Sequence, residues 1–318
     1  MTNAPLLDIQ DLVLEFGSAR AVDGVSFSIQ PGETLCLVGE SGSGKSVTAL
    51  SIARLLPTPP ASYPSGRILL EGVDVLRASK SALRAMRGSI VSYIFQDPSV
   101  SLNPVFRVGS QIKESLKLHR PADATDAEAA RLLQWVGIPA PESRLRNYPH
   151  EMSGGMQQRV MIAMALAAQP KLLIADEPTT ALDVTIQAQI LDLLKELKQR
   201  LGMAMLLITH NLGIVGQIAD RVAVMYGGKI LEMAESGALL RRPLHPYTQA
   251  LMRSAPQLGA SHERLTSIPG NVPALGAMPG GCPFHPRCSK ARPDCAQAVP
   301  QLLEVEPGRW VRCPYWNS

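Results

Sequence analysis

The sequence predicts an α/β fold built on a parallel sheet, followed by a C-terminal extension of different character, and three observations carry that prediction. Residues 35–38, 172–175 and 205–208 are continuous apolar runs with the composition of strands buried on both faces. The first run leads directly into a glycine-rich turn and then a helical pattern over 46–56. Composition changes near residue 241: 12 of the 26 prolines and four of the five cysteines fall in the last 78 residues. The expected division is therefore a main domain over 1–240 and an extension over 241–318.

In chain order, apolar and polar residues alternate over 12–16 and 22–29, which predicts two half-buried strands joined by a turn at Gly17. The buried strand 35–38 and the helix 46–56 come next. After a proline-rich loop over 57–64, residues 66–75 return to strand character. Residues 102–168, including 127–136, are largely helical in pattern and predict a helical subdomain over about 99–168. Ile190, Leu193, Leu194, Leu197 and Leu201 recur at helical spacing between the two later strands, and Gly202 supplies the stop. Strand, helix, strand implies a right-handed parallel crossover. No fixed-period repeat is present, which argues against a solenoid.

At 318 residues with 46% hydrophobic and 18% charged residues, the chain is long enough to bury a core and too apolar to be disordered. Aromatics make up only 4%, so the core rests on aliphatic side chains and a stacking platform for single strands is not expected. The net charge of +4 comes from 31 basic and 27 acidic residues with no basic block, which argues against a nucleic-acid partner. No apolar stretch reaches 18 residues and the N-terminus lacks a secretory pattern, so a chain that does not itself span a bilayer, on the cytoplasmic side, is expected.

The chemistry lies in short motifs. Gly39-Glu-Ser-Gly-Ser-Gly44-Lys45-Ser46 fits GxxxxGK[ST] in its required setting, after a buried strand and before a helix. Gly39, Ser41, Gly42, Ser43 and Gly44 let backbone N–H groups curl around phosphate oxygens, with Val47 completing the first helical turn. Lys45 reaches the β and γ phosphates, and the Ser46 hydroxyl is placed for Mg²⁺. Asp176, at the end of a buried strand, is a second Mg²⁺ candidate. Glu177, one residue on, points to the opposite side of an extended chain and is the candidate base for an attacking water. Ser153, Gly154, Gly155 and Met156 open another helix, which Ser153 is expected to cap while the glycines bring backbone donors near an anion.

Read with Asp176-Glu177-Pro178, Ala181-Leu182-Asp183 and Thr209-His210, that last segment resembles the signature sequence of the ATP-binding cassette ATPases, in order and spacing through residue 230. The resemblance implies a P-loop NTPase fold of the cassette type, with an antiparallel β subdomain and a helical subdomain. It further implies that Phe16 stacks on adenine and that Gln96 senses Mg²⁺ and the lytic water. Asp183 then belongs to the dimer-contacting loop and His210 contacts the γ phosphate. Met152 and Met156 stand where the family often has Leu and Gln, and neither methionine removes a phosphate donor; Phe16, where Tyr is common, keeps the ring face and loses only the hydroxyl. In this family one subunit's signature completes another's nucleotide site, so two cassettes meet head to tail.

Ser101-Leu102-Asn103-Pro104, His245-Pro246-Tyr247-Thr248, Ile268-Pro269-Gly270 and the cysteine-bearing tail are similar to segments of the ATPase subunits of dipeptide, oligopeptide and nickel importers. This implies ATP hydrolysis coupled to import, with peptides as the expected cargo and nickel or another solute as the alternative. The implied partners are a second, related ATPase subunit, two transmembrane permeases and an extracytoplasmic substrate-binding protein. A soluble cassette ATPase acting on nucleic acid or ribosomes is the rival, but tandem cassettes or a coiled-coil insertion are missing. Cys282, Cys288, Cys295 and Cys313 are spaced x5, x6 and x17, without a CxxC knuckle. Irregular spacing with Cys-Pro pairs suits a 4Fe-4S cluster held by loops, with Zn²⁺, reduced thiols or disulfides as the alternatives; the resemblance favours the cluster. Cys36 reads as core packing.

Overall fold

The computed structural model of the chain describes residues 4–180, 182–254 and 268–317. The chain divides into two units, one made of Met1–Gln30, Thr34–Ala78 and Leu207–Ser318, the other of Pro31–Glu33 and Ser79–Leu206.

The first unit holds an antiparallel sheet in the order Ala19–Ile29, Leu7–Phe16, Ala61–Leu70, Val73–Asp74. The expected hairpin turns at Gly17, whose φ of 63° suits glycine. Its first strand starts five residues earlier than the alternation suggests because Leu7 and Ile9 are also buried. The single strand expected over 66–75 is instead two. Glu71 and Gly72, both at positive φ (49° and 76°), turn the chain back on itself, the torsions a two-residue hairpin requires. The longer of the two strands begins inside the proline-rich segment, with Pro64 at an irregularity in the pairing, where its missing N–H costs no ladder bond.

The same unit holds a run of strands in the order Leu303–Glu306, Arg309–Val311, Lys229–Glu235, Arg221–Tyr226, Thr34–Val38. Only the last pair is parallel. Residues 221–235 form a hairpin at Gly227 and Gly228 that no apolar run announced, and the last two strands add to its edge. The helix expected over 46–56 spans Lys45–Ile52. It stops early because Arg54 takes a left-handed φ of 49°.

In the second unit the expected helical region contains Val108–His119, Asp126–Trp135 and Gly154–Leu166, with single turns at Pro98–Ser101 and Pro141–Arg144. Thr125 caps Asp126–Trp135 by accepting the Glu128 N–H. Val91–Ile94 pairs in parallel with Leu172–Asp176. The helix Val184–Leu201 buries Ile190, Leu193, Leu194 and Leu197, as their spacing predicts, and ends on Gly202 at φ 63°. The chain passes back to the first unit within Ala204–Thr209, which is buried throughout, as are Thr34–Val38 and Leu172–Asp176. Among the described residues no helix is long and apolar enough to cross a membrane.

Candidate functional site

The phosphate loop begins where the buried strand Thr34–Val38 delivers Gly39 beside Arg221–Tyr226. A Cβ on Gly39 would lie 2.1 Å from the Met225 carbonyl oxygen, so glycine is the residue that lets the strand end pass. Gly42 and Gly44 sit at φ 79° and 101°, and a Cβ on Gly44 would meet the Ala21 carbonyl at 2.7 Å. The loop curls by a bond from the Ser43 N–H to the Glu40 carbonyl, and the Gly228 N–H donates to the Ser43 carbonyl at 2.9 Å. Lys45, 4% exposed, folds its Nζ back to donate to the Gly39 and Glu40 carbonyls at 2.7 and 2.8 Å. Ser46 and Val47 are half-buried in the first turn of the helix and Ser41 is exposed.

Phe16 is half-buried at the end of Leu7–Phe16 and His210 is exposed just past Ala204–Thr209. The Thr209 hydroxyl holds the chain there by accepting the Asn211 N–H at 3.0 Å.

In the second unit Asp176, the last residue of its strand, is 6% exposed and accepts a 2.7 Å hydrogen bond from the Tyr93 hydroxyl. Burial, then the charge of Asp176, push the Tyr93 phenol well above its ordinary value, so it remains a donor. Glu177 departs from expectation: its φ of 47° is left-handed, not extended, so the chain turns at this carboxylate. One of its oxygens accepts from Gln96 Nε2 at 3.1 Å and from the Thr180 hydroxyl at 2.9 Å. The structure thus brings together Gln96 and Glu177, two residues the sequence assigned to the same water.

Ser153 caps Gly154–Leu166 as expected, its hydroxyl accepting the Met156 N–H at 3.4 Å. A Cβ on Gly155 would lie 3.2 Å from Ile186 Cγ2. Gln157 Nε2 donates to the Pro149 and Met152 carbonyls, fixing the approach to the cap. Met152, just before the cap, is 6% exposed. Asp183 accepts the Ile186 N–H at 2.9 Å and caps the long helix, while Gln187 Nε2 donates to the Thr179 and Leu182 carbonyls. Ala181 lies outside the described residues.

Cys282, Cys288, Cys295 and Cys313 carry free thiols and line one cavity with His245, Lys290 and Arg312. Burial, and then the other three cysteines, push the Cys282 thiol up to about 11. Among the described residues no group of three or more His, Cys, Asp or Glu side chains converges tightly enough to hold a metal ion. The metal expected from the spacing, whether a 4Fe-4S cluster or Zn²⁺, therefore gains no ready-made ligand set here. Cys36 is fully buried in Thr34–Val38, its thiol raised by burial, consistent with packing.

Three contributors went unnoticed in the sequence: Tyr93, Thr180 and Gln111. The side-chain amide of Gln111 bonds the Asn103 N–H and the Asn103 and Phe106 carbonyls, pinning the Ser101–Pro104 turn. Tyr93 sits on a four-residue strand, too short for any period to show.

A glycine cradle between buried strand and helix, an acid closing a second buried strand, and a serine-capped glycine helix define an ATPase of the ATP-binding cassette class. Residues 22–180 match the family described as ABC transporter, and residues 231–295 match the one described as oligopeptide/dipeptide transporter, C-terminal region. The dipeptide transport ATP-binding protein DppD of Escherichia coli (strain K12) is 48% identical over 321 residues, covering 98% of this chain and 96% of that one. The oligopeptide transport ATP-binding protein OppD of Bacillus subtilis (strain 168) is 48% identical over 314 residues, covering 96% and 88%. CbiO1 from Clostridium perfringens, part of the ABC transporter complex CbiONQ, matches with a TM-score of 0.66 at 27% identity, covering 74% of this chain and 91% of that one. The chain belongs to the ABC transporter ATPase family, in the branch that carries the oligopeptide/dipeptide C-terminal region.

Proposed function

We propose that this chain is the ATP-hydrolysing subunit that powers import of dipeptides or oligopeptides through a membrane transporter. The observation that carries this is the union, in one polypeptide, of the nucleotide-binding cassette with an oligopeptide/dipeptide-type C-terminal region. In this reading Lys45 and the amides of residues 39–47 bind the triphosphate, and Phe16 supports the adenine. Ser46, Gln96 and Asp176 hold Mg²⁺, which supplies charge neutralisation at the β and γ phosphates. Glu177 accepts the proton of the attacking water. The bond from Gln96 Nε2 orients its carboxylate, which supports that role. His210 contacts the γ phosphate, while Ser153, Gly154, Gly155 and Met156, with Asp183 nearby in sequence, serve the site of a second cassette.

Because each chain carries one copy of every element, nucleotide closes a pair of cassettes and hydrolysis releases it. The pair is a heteromer with a related ATPase, docked on the cytoplasmic side of two permeases that receive peptide from an extracytoplasmic binding protein. Residues 1–240 act as the motor and 241–318 as the extension. The cysteine cavity would take a 4Fe-4S cluster, held by the thiolates of Cys282, Cys288, Cys295 and Cys313, which line one cavity; Zn²⁺ is the alternative metal.

The deciding experiment is reconstitution of the copurified complex in liposomes. Peptide-loaded binding protein is expected to stimulate ATP hydrolysis and peptide uptake. Stimulation by a nickel-loaded binding protein instead would reassign the cargo, and stimulation by RNA or DNA without permeases would reject import.

A further inference from the structure

Three segments have no part in the nucleotide chemistry assigned above: His245-Pro246-Tyr247-Thr248, Ile268-Pro269-Gly270, and the turn between Cys282 and Cys288. Two of them reach one residue of the phosphate loop, Glu40, and the third holds the arginine that does so. The Glu40 N–H donates to the Tyr247 hydroxyl at 2.9 Å. Its carboxylate accepts both terminal nitrogens of Arg287, at 2.6 and 3.0 Å, a bidentate pair. The remaining donors of Arg287 reach the carbonyls of Pro269 at 2.8 Å, Gly270 at 3.2 Å and Ile268 at 3.3 Å, and the Tyr226 hydroxyl at 3.3 Å. The arginine side chain is 6% exposed, so its charge is stable there only because every donor is engaged. Tyr226, Tyr247 and Phe284 pack on one another with ring centroids 4.7 to 5.4 Å apart and Tyr226 lies beneath the guanidinium, which fixes the turn that carries Arg287.

Glu40 is an awkward residue for a loop that binds a polyanion. Its carbonyl already holds Lys45 Nζ at 2.8 Å, so an uncompensated carboxylate on the same residue would repel the triphosphate that the lysine attracts. We infer that Arg287 is a positioning residue for nucleotide binding: it neutralises and anchors the Glu40 carboxylate, so that the C-terminal extension sets the affinity of the phosphate loop for a nucleoside triphosphate. This rests on the reading of residues 39–46 as that loop.

The test measures MgATP binding to the full-length chain, with thermal unfolding in parallel, for the wild type, Lys45→Ala, Arg287→Ala and Arg287→Ala/Glu40→Gln. Arg287→Ala is expected to weaken binding about tenfold, the loss of one partly desolvated charge pair. The double variant is expected to return to within about threefold of wild type, since the repelling charge has gone with its partner. In the assembled transporter Arg287→Ala is expected to raise KM for ATP and leave kcat within about twofold. A structural brace alone moves melting without this rescue, so a double variant as weak as the single one overturns the inference. Should Arg287→Ala fail to fold, Glu40→Gln with the native arginine decides. Its uncompensated cation is expected to tighten MgATP binding about threefold, and unchanged or weaker binding overturns the inference. A wild-type chain that does not bind MgATP sinks the reading of the loop itself. A chain that binds, loses binding in Lys45→Ala and ignores Arg287→Ala sinks this inference alone.

Discussion

The phosphate loop and the cysteine cavity belong to the same unit yet are held in opposite ways. The loop is suspended between a five-residue strand buried at every position and the helix Lys45–Ile52, and Gly39 and Gly44 are set by main-chain neighbours. The cavity is lined from the single turns His285–Arg287 and Pro293–Ala296 and from residues 312–315, just past the short strand Arg309–Val311. Around it the tail has few apolar anchors: Phe284 and Val311 are buried, whereas Val299 and Leu303 are exposed. A loop set by continuous secondary structure is preorganised before ligand arrives. A loop-built cavity of four thiols depends on its contacts with the rest of the unit and, in the proposed function, on its cluster.

The largest effect tests whether the loop and the carboxylate at Glu177 do separable jobs. Glu177→Gln is expected to keep MgATP binding and lose on the order of 10²- to 10⁴-fold in turnover, measured as phosphate release by the assembled complex. Near wild-type turnover would remove Glu177 from the chemistry and leave its left-handed backbone without a function. Next in size, Cys288→Ser tests the other side of the comparison. Anaerobically purified wild type is expected to carry iron and a broad visible absorbance. The variant should lose both and melt several degrees lower, because a site that substitutes for a core contributes folding energy directly. Colourless wild-type protein with stoichiometric zinc would reassign the site to Zn²⁺, and colourless metal-free protein would return the tail to reduced thiols.

A smaller effect distinguishes direct from indirect support of Mg²⁺. Tyr93→Phe removes the 2.7 Å bond to Asp176 and leaves the ring, so the Mg²⁺ concentration for half-maximal ATPase activity is expected to rise about fivefold with little change at saturation. The smallest concerns how the first unit ties its two sheets together. Burial opposes ionisation of Asp23, but the 2.5 Å bond and charge of Lys229, aided by Arg20, outweigh it and hold the carboxyl below its ordinary value. A lowered native pKa adds stability above the ordinary carboxylate range, and that stability is lost as pH falls through the native value. In Lys229→Met the melting temperature should therefore fall less between pH 5 and pH 3 than in the wild type.

Where sequence and structure part company, the cause is range. Ser153 and Gly202 act on backbone groups within five residues, so their caps were readable from spacing, whereas the cap that Asp183 supplies was not read. The hairpin over 221–235 and the strand Val91–Ile94 went unseen because their short runs acquire meaning only from the strand beside them. Glu177 looked extended because nothing in Asp-Glu-Pro specifies a left-handed φ; contacts from Gln96 and Thr180 accompany it.

By itself the amino-acid order determined the phosphate loop, the acid-terminated strand, the capped signature helix and the separate character of the last 78 residues, since each is written in neighbouring residues whose backbone demands are local. Only the tertiary structure decided which distant side chains serve those motifs. Tyr93 meets Asp176 across 83 positions and Arg287 meets Glu40 across 247. No periodicity spans such separations; sheet order and the packing of Tyr226, Tyr247 and Phe284 bring Arg287 to Glu40, and burial then makes the charge pairing obligatory.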